Sequence, residues 1–499
     1  MAFVRTVKTA SGATAVQIVY SNRKGARMID HIGSAHNDAE LAALKNVAAQ
    51  RLSEGQGQLD LGLSAADTGE TLPIRGSRMS VLWDALDGVY RELGFDDTTG
   101  GDSVFRDLVL ARIIEPTSKL DSLRVLDEVG VPVPSYATVK RRLPVYAGTS
   151  WRQQLAAACA AHAGLGPATL VLYDVTTLYF ETDKADGFRE PGFSKERRLE
   201  PQITVGMLTD ASGFPLMIEA FEGNKAETLT MIPTITSFMA AHQLTEVTVV
   251  ADAGMISAAS MAAIENAGLT FILGDKLPTV PYQIDQWRQS HPGQEPPDGL
   301  TLTQRFPANP KTSYSTDRVT YYRYSADRAR RSLRGINEQV AKAEKAVQGK
   351  IPVKRNRFVK LAGAEKSVNR ELAEKAQALA GWKAYTTNTT DPAPDFVIGA
   401  YHQLWRIEKS FRMSKSDLAA RPIYHHTEDS IRAHLAIVMA ALAVTRIIEA
   451  RTEWSIKKFV TTARRYRTVY IDIGGKTLTA ADPLTADLAK ALVALRGGH

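Results

Sequence analysis

The sequence predicts an α/β protein: a mixed-sheet core interrupted by an insertion domain and preceded by a small N-terminal β-rich segment and a helical domain. Three observations carry that expectation. Two near-continuous apolar and β-branched runs, residues 169–180 (TLVLYDVTTLYF) and 246–251 (EVTVVA), mark buried central strands. Residues 79–165 are mostly helical in period, and strand then alternates with helix from residue 167. The length of 499 residues exceeds one ordinary core, so about three domains are expected.

Taken in order, residues 1–75 form the β-rich segment and a linker. Apolar and polar positions alternate there, as in 14–20 (TAVQIVY), which predicts short strands. A helix is expected over 38–52, and the Gly, Ser and Asp-rich run 54–71 reads as a linker. Residues 76–165 are the helical domain, with helices at 79–93, 103–114, 117–129, 136–142 and near 151–163. Its basic run Val139-Lys140-Arg141-Arg142 suits a DNA-binding module, and the solvated face of a plain helical domain accounts for it equally well.

Residues 166–275 form the first part of the core. Strands at 169–180, 202–209 and 214–222 are followed by a helix (227–242), a strand (246–251), a helix (257–267) and a strand (270–274). The sequence Asp210-Ala211-Ser212-Gly213 reads as the hairpin turn between the second and third strands. Three mostly antiparallel strands, then helix–strand–helix–strand, is the element order of an RNase H-like core. Residues 276–380 break the alternation and read as the insertion domain, with strands at 300–305 and 318–324 and a basic helix over 326–350. The core resumes over 381–450, with a strand at 382–388 and helices at 396–416 and 430–450, and 451–499 is expected to be a basic tail.

Composition narrows the function classes. The chain is 44% hydrophobic and 23% charged, near the averages of folded soluble proteins. Its 61 basic and 54 acidic residues give a formal +7, a mild lean towards polyanions. Cys159 is the single cysteine, so intrachain disulfides and cysteine-based zinc sites are excluded. The N-terminal MAFVRTVKTASGATAV lacks the apolar core of a signal peptide, and the apolar stretch 435–444 is too short to cross a bilayer alone. A cytoplasmic location without a membrane partner is therefore expected.

Two aspartates stand out against their surroundings. Asp174 interrupts the first apolar strand, and Asp252 ends the second; a carboxylate there is costly unless paired, hydrogen-bonded or bound to a cation. The carboxyl ends of strands are also where an open α/β sheet places its site. Either one alone reads equally well as a strand-end cap. A third carboxylate, Glu408, lies on the helix YHQLWRIEKSFRMSK, with Tyr401 seven residues before and Lys415 seven after. Seven residues are close to two turns, so the three share a face, which Arg412 joins at i+4. Three carboxylates suffice for two-metal phosphoryl transfer: two Mg²⁺ ions, with Mn²⁺ as a substitute, about 4 Å apart. On the helix alone, an amphipathic face with Glu408 paired to Arg412 is the simpler reading.

The sequence resembles insertion-sequence transposases of the DDE class, in the group with a Tyr-Arg-Glu-Lys signature on the glutamate helix. Tyr401, Glu408 and Lys415 match the signature, while the arginine position holds Leu404. The segments 172–180, 192–201 (GFSKERRLEP), 221–224 (FEGN), 250–254 (VADAG) and 421–425 (RPIYH) also resemble the family, in its order. The resemblance implies Asp174, Asp252 and Glu408 as catalytic metal ligands and a β-rich insertion in the longer second interval. It further implies cleavage at terminal inverted repeats, joining of the 3′ ends to target DNA, double-stranded DNA as partner and a homodimer in the DNA complex. Tyr401, Arg412, Lys415 and the loop cations Lys195, Arg197 and Arg198 are the expected phosphate contacts. Cleavage without strand transfer by a nuclease of the same fold, or DNA binding by an inactive derivative, are the alternatives.

Overall fold

The computed structural model describes residues 2–9, 12–21, 27–53, 73–165, 169–180, 184–192, 200–225, 228–242, 244, 246–252, 258–309, 316–352, 356–362, 365–421, 423, 425–473 and 476–496. The expected linker at 54–71 lies outside the described residues, as do Lys195, Arg197 and Arg198. The chain divides into two compact units, Met1–Arg75 with Ile471–Leu478, and Gly76–Tyr470 with Thr479–His499.

In the first unit β1 (Ala2–Lys8), β2 (Thr14–Ser21) and β3 (Arg27–Ala35) form an antiparallel meander followed by α1 (Asp38–Ser53). The alternation read in this segment has a direct cause: Val16 and Ile18 of β2 are buried together with Ala48 of α1. Strand β4 (Ile74–Arg78) straddles the division between the units.

The second unit begins with a helical layer: α2 (Ser80–Glu92), α3 (Phe95–Thr98), α4 (Ser103–Ile114), α5 (Asp121–Val129), α6 (Tyr136–Ala147) and α7 (Thr149–His162). Asp102 caps α4 through the Phe105 amide and also holds Arg142 and the Tyr146 hydroxyl. Arg142 of the basic run is thus committed to structure, while Lys140 and Arg141 are exposed.

The core follows as β5 (Thr169–Tyr179), β6 (Gln202–Asp210), β7 (Pro215–Glu222), α8 (Thr228–His242), β8 (Val247–Ala251), α9 (Ala258–Asn266) and β9 (Thr270–Asp275). Beyond it come α10 (Tyr282–Ser290), β10 (Thr301–Phe306), β11 (Arg318–Tyr324), α11 (Ala326–Val347), β12 (Val359–Ala362), β13 (Glu365–Val368), α12 (Arg370–Ala378) and β14 (Trp382–Thr387). One eight-stranded mixed sheet has the order β10-β11-β14-β9-β8-β5-β6-β7. Strands β5, β6 and β7 are antiparallel neighbours, whereas β5, β8 and β9 run parallel through the helical crossovers α8 and α9. Strands β10 and β11 join this same sheet through β14. A salt bridge of 2.7 Å between Glu265 of α9 and Arg318 of β11, both side chains almost fully buried, ties them in. The basic helix α11 packs with β12, β13 and α12 around Ile336, Ala343, Phe358 and Ala373, a small apolar cluster of its own.

After β14 the chain forms α13 (Pro394–His402), α14 (Leu404–Arg412), a π-helical turn (Met413–Asp417) and α15 (Glu428–Thr452). Helix α15 contains an 18-residue window long and apolar enough to cross a membrane by length and composition. That window is 89% buried, and α2, α4, α6, α7 and β7 all pack on the helix. It is the axis of the core between the helical layer and the sheet. Residues 451–499, read from the sequence as a basic tail, carry α16 (Ile456–Ala463), β15 (Thr468–Ile473), β16 (Lys476–Ala481) and α17 (Ala486–Arg496).

Candidate active site

Asp174 and Asp252 are neighbours by register. Strands β5 and β8 pair in parallel from Thr169↔Val247 to Leu172↔Val250, an offset of 78 (247 − 169). Continued by two residues, the same offset sets Asp174 beside Asp252, just past the end of β8. Both strands are there because their apolar runs bury them centrally, and each polar residue falls where the parallel ladder ends. Asp174 is half-buried and accepts a hydrogen bond of 2.8 Å from the Val175 amide, while Asp252 is exposed.

The expected helix over 396–416 is broken at Gln403 and changes to a π-helical turn at Met413, and its two ends grip the two strands. The Tyr401 hydroxyl donates to Asp252 Oδ1. The Lys415 ammonium donates to Thr176 Oγ1. Thr176 lies two residues beyond Asp174 on β5, hence on the same face of the sheet. Glu408 is exposed midway between these anchors, on α14, which packs on β5.

The floor under Tyr401 is Gly274 of β9. A Cβ there would stand 2.6 Å from the phenol ring and its oxygen, so glycine is what admits the ring. Tyr385 of β14 meets the ring edge-on at 5.1 Å, and Lys383 Nζ lies 4.1 Å from its centroid. Burial, then the hydrogen bond and charge of Asp252, push the Tyr401 phenol well above its usual range, so it is a neutral donor. Burial lowers the Lys383 ammonium, and Asp252 and Glu408 pull it back up. Both carboxylates therefore act on the same tyrosine and the same lysine.

Lys383 is the site residue that sequence reading missed. It is an ordinary lysine on a short strand, and only its position beside Tyr401 distinguishes it. Two residues beyond Leu404, Arg406 donates to the Ala211 carbonyl at 2.9 Å and so clamps the helix to the β6–β7 hairpin. Gly213 and Ser410 complete that clamp, with Ser410 Oγ donating to the Gly213 carbonyl at 2.6 Å. Arg412 is exposed, one turn after Glu408 on α14.

Among the described residues no three His, Cys, Asp or Glu side chains stand close enough to share one ion. The donor chemistry nonetheless fits a hard divalent cation, since the candidates offer carboxylate oxygen and neither thiolate nor imidazole. Mg²⁺ commonly takes one or two carboxylates and completes its shell with water and substrate phosphate. The side chains suit ions that a bound phosphate helps to hold, rather than a preformed three-ligand cage.

Residues 165–444 match the family described as the transposase DDE domain. A solved structure, the piggyBac transposase synaptic complex with hairpin DNA, is similar at a TM-score of 0.36 and 10% identity, over 77% of this chain and 69% of that one. No curated protein matches the chain.

Proposed function

Because the chain belongs to the transposase DDE-domain family, we propose that Asp174, Asp252 and Glu408 are its catalytic carboxylates and that it cuts and joins DNA by two-metal phosphoryl transfer. The observation that carries this reading is the double anchor of the glutamate helix. Tyr401 binds one aspartate directly, Lys415 binds the threonine next to the other on its face of β5, and Glu408 lies on the helix between these two anchors. The same pair supports membership of the Tyr-Arg-Glu-Lys group, and the strand order β7-β6-β5-β8-β9 supports an RNase H-like core.

The carboxylates would hold two Mg²⁺ ions, or Mn²⁺ in their place. When bound, such ions supply positive charge to the attacking and leaving oxygens of an in-line displacement. The protein's own groups do the positioning. Tyr401 fixes Asp252 by a hydrogen bond to a charged acceptor. Lys415, Lys383 and Arg412 offer cations to the phosphate backbone, and Lys195, Arg197 and Arg198 are assigned further backbone contacts. Water attacks first at the ends of the terminal inverted repeats, and the freed 3′-hydroxyls then attack target DNA. Two ends must be held together for this, so the active complex is a homodimer on DNA.

The test is a joining assay with pre-cleaved element ends and a target duplex. The protein is expected to join the ends, and Asp174→Ala to lose cleavage and joining while still binding the ends. Cleavage without joining under permissive conditions defeats the strand-transfer assignment, and normal cleavage by Asp174→Ala defeats the site assignment.

A further inference from the structure

The turn between α4 and α5 buries, with α15, a cluster of basic groups that no carboxylate faces among the described residues. Arg112, Lys119 and His434 are 5%, 4% and 3% exposed. With His425, Tyr136 and Ala419 they line a cavity of about 450 Å³, within the range of small-molecule sites. Lys119 Nζ lies 3.1 Å from His434 Nδ1, and His434 Nε2 lies 3.1 Å from the Ala420 carbonyl. A carbonyl only accepts, so the ring donates through Nε2 and accepts from Lys119 through Nδ1. Among the described residues, Arg112 makes one long contact, 3.5 Å, to the Ala419 carbonyl.

The acids of this segment are engaged elsewhere. Glu115 pairs with Arg124 and Arg464, and Asp121 pairs with Arg124 while accepting from Thr117. Among the described residues, the charges that act on Lys119, His425 and His434 are all cationic: Arg112, His426 and one another. Lone buried cations cost several kcal/mol each. Burial accordingly lowers Lys119 and His434 far below their usual ranges and His425 to about 3. An entering anion would relieve all of them at once.

We propose that this cavity is a phosphate-binding site, in which Arg112 and Lys119 donate to the phosphate oxygens and His434 orients the lysine. Exposed Leu120 and Tyr136 form its mouth, and Lys140 sits over the Tyr136 ring at 4.7 Å, which adds a cation at the rim. Ala419, which lines the cavity, lies two residues after the π-helical turn that carries Lys415 and adopts a left-handed φ of 41°. The phosphate is either a diester of bound DNA or a free phosphate, and the chemistry of recognition is the same. The inference stands independently of the catalytic assignment.

The test titrates the full chain with inorganic phosphate against chloride at matched ionic strength, reading thermal unfolding and calorimetric binding. Phosphate is expected to raise the midpoint in a concentration-dependent way. Lys119→Met, which keeps the stem and removes the charge, is expected to fold and to bind phosphate about tenfold more weakly or worse. Arg112→Met gives the same comparison should Lys119→Met fail to fold. A parallel gel-shift with a double-stranded oligonucleotide identifies the source. Weaker DNA binding by Lys119→Met, with competition by phosphate, means a DNA diester; unchanged DNA binding means a free phosphate. No phosphate effect on the wild-type protein, or wild-type phosphate binding by both variants, overturns the proposal.

Discussion

Gly274→Ala tests the candidate site without altering any charged group. The new methyl would stand 2.6 Å from Tyr401 Cε2 and Oη, and ordinary contact begins at 3.4 Å, so the ring must retreat by 0.8 Å (3.4 − 2.6). Little room exists for that retreat. Tyr385 abuts the ring at 5.1 Å, Lys383 covers its face at 4.1 Å, and Tyr401 is only 5% exposed. Overpacking of this kind costs about 1–3 kcal/mol. A displacement near 1 Å in a catalytic assembly costs about 10²-fold in rate. Gly274→Ala is therefore expected to lower the denaturation midpoint modestly and the DNA-cleavage rate about a hundredfold, with end binding retained. Tyr401→Ala supplies the control, because the three atoms nearest the new methyl all belong to that ring. In that background Gly274→Ala should cost under about 0.5 kcal/mol, a coupling read from a double-mutant cycle in urea. Wild-type cleavage by Gly274→Ala, or an equal stability cost in both backgrounds, would refute the close-packing account of how Tyr401 is held.

Three further outcomes are expected. Burial raises the Asp107 carboxyl to about 6, with Arg106 opposing, so the folded state binds this proton more tightly than the unfolded chain. Stability from this group is then complete below about pH 4 and lost as pH rises through 6; Asp107→Asn should gain on the order of 2–3 kcal/mol at pH 7.5 and nothing at pH 4, by urea denaturation. Glu265→Ala removes the carboxylate from the buried Arg318 and should cost about 3–5 kcal/mol, whereas Glu265→Met with Arg318→Met should recover most of the loss; equal midpoints for the single and double variants would contradict this. Lys383→Met should slow single-turnover cleavage about tenfold while leaving the unfolding midpoint nearly unchanged, and Lys383→Arg should recover part of the rate.

Much of the site was legible because it violates local expectation. A carboxylate amid Leu172, Tyr173 and Val175 has no place in a buried strand unless something compensates it, and the same argument applies at the end of β8. The strands themselves were legible for the same reason: continuous apolar runs flanked by turn residues have few alternative structures. Strand partners were not legible. Residues 300–305 and 318–324 show strand pattern, yet nothing local says that they extend the central sheet through β14, since pairing over such separations depends on the tertiary fold. Helix ends were blurred likewise. The periodicity over 396–416 is continuous, but the break at Gln403 and the π-helical turn at Met413 accompany long-range contacts, Tyr401 to Asp252 and Lys415 to Thr176, that no local pattern shows. Gly274 reads from sequence as a strand-end glycine, and only the ring above it gives it a role.

The departure at Leu404 is the point where sequence and structure inform each other most. Leu404 is 8% exposed within the apolar cluster, so an arginine there would have to bury its charge or turn outward. The neighbouring Arg406 is committed to the β6–β7 hairpin and cannot leave it without losing the Ala211 contact. The cation beside Tyr401, Asp252 and Glu408 comes instead from Lys383, on a strand rather than on the helix. A lysine suits that place better than an arginine would. It lies over an aromatic face with its stem packed on the ring, and its ammonium acts as a point charge rather than a planar fork. Both carboxylates also act on it, opposing the effect of burial on its ammonium. Lys383 thus places a positive charge on the Tyr401 ring from the strand side of the site, 4.1 Å from its centroid.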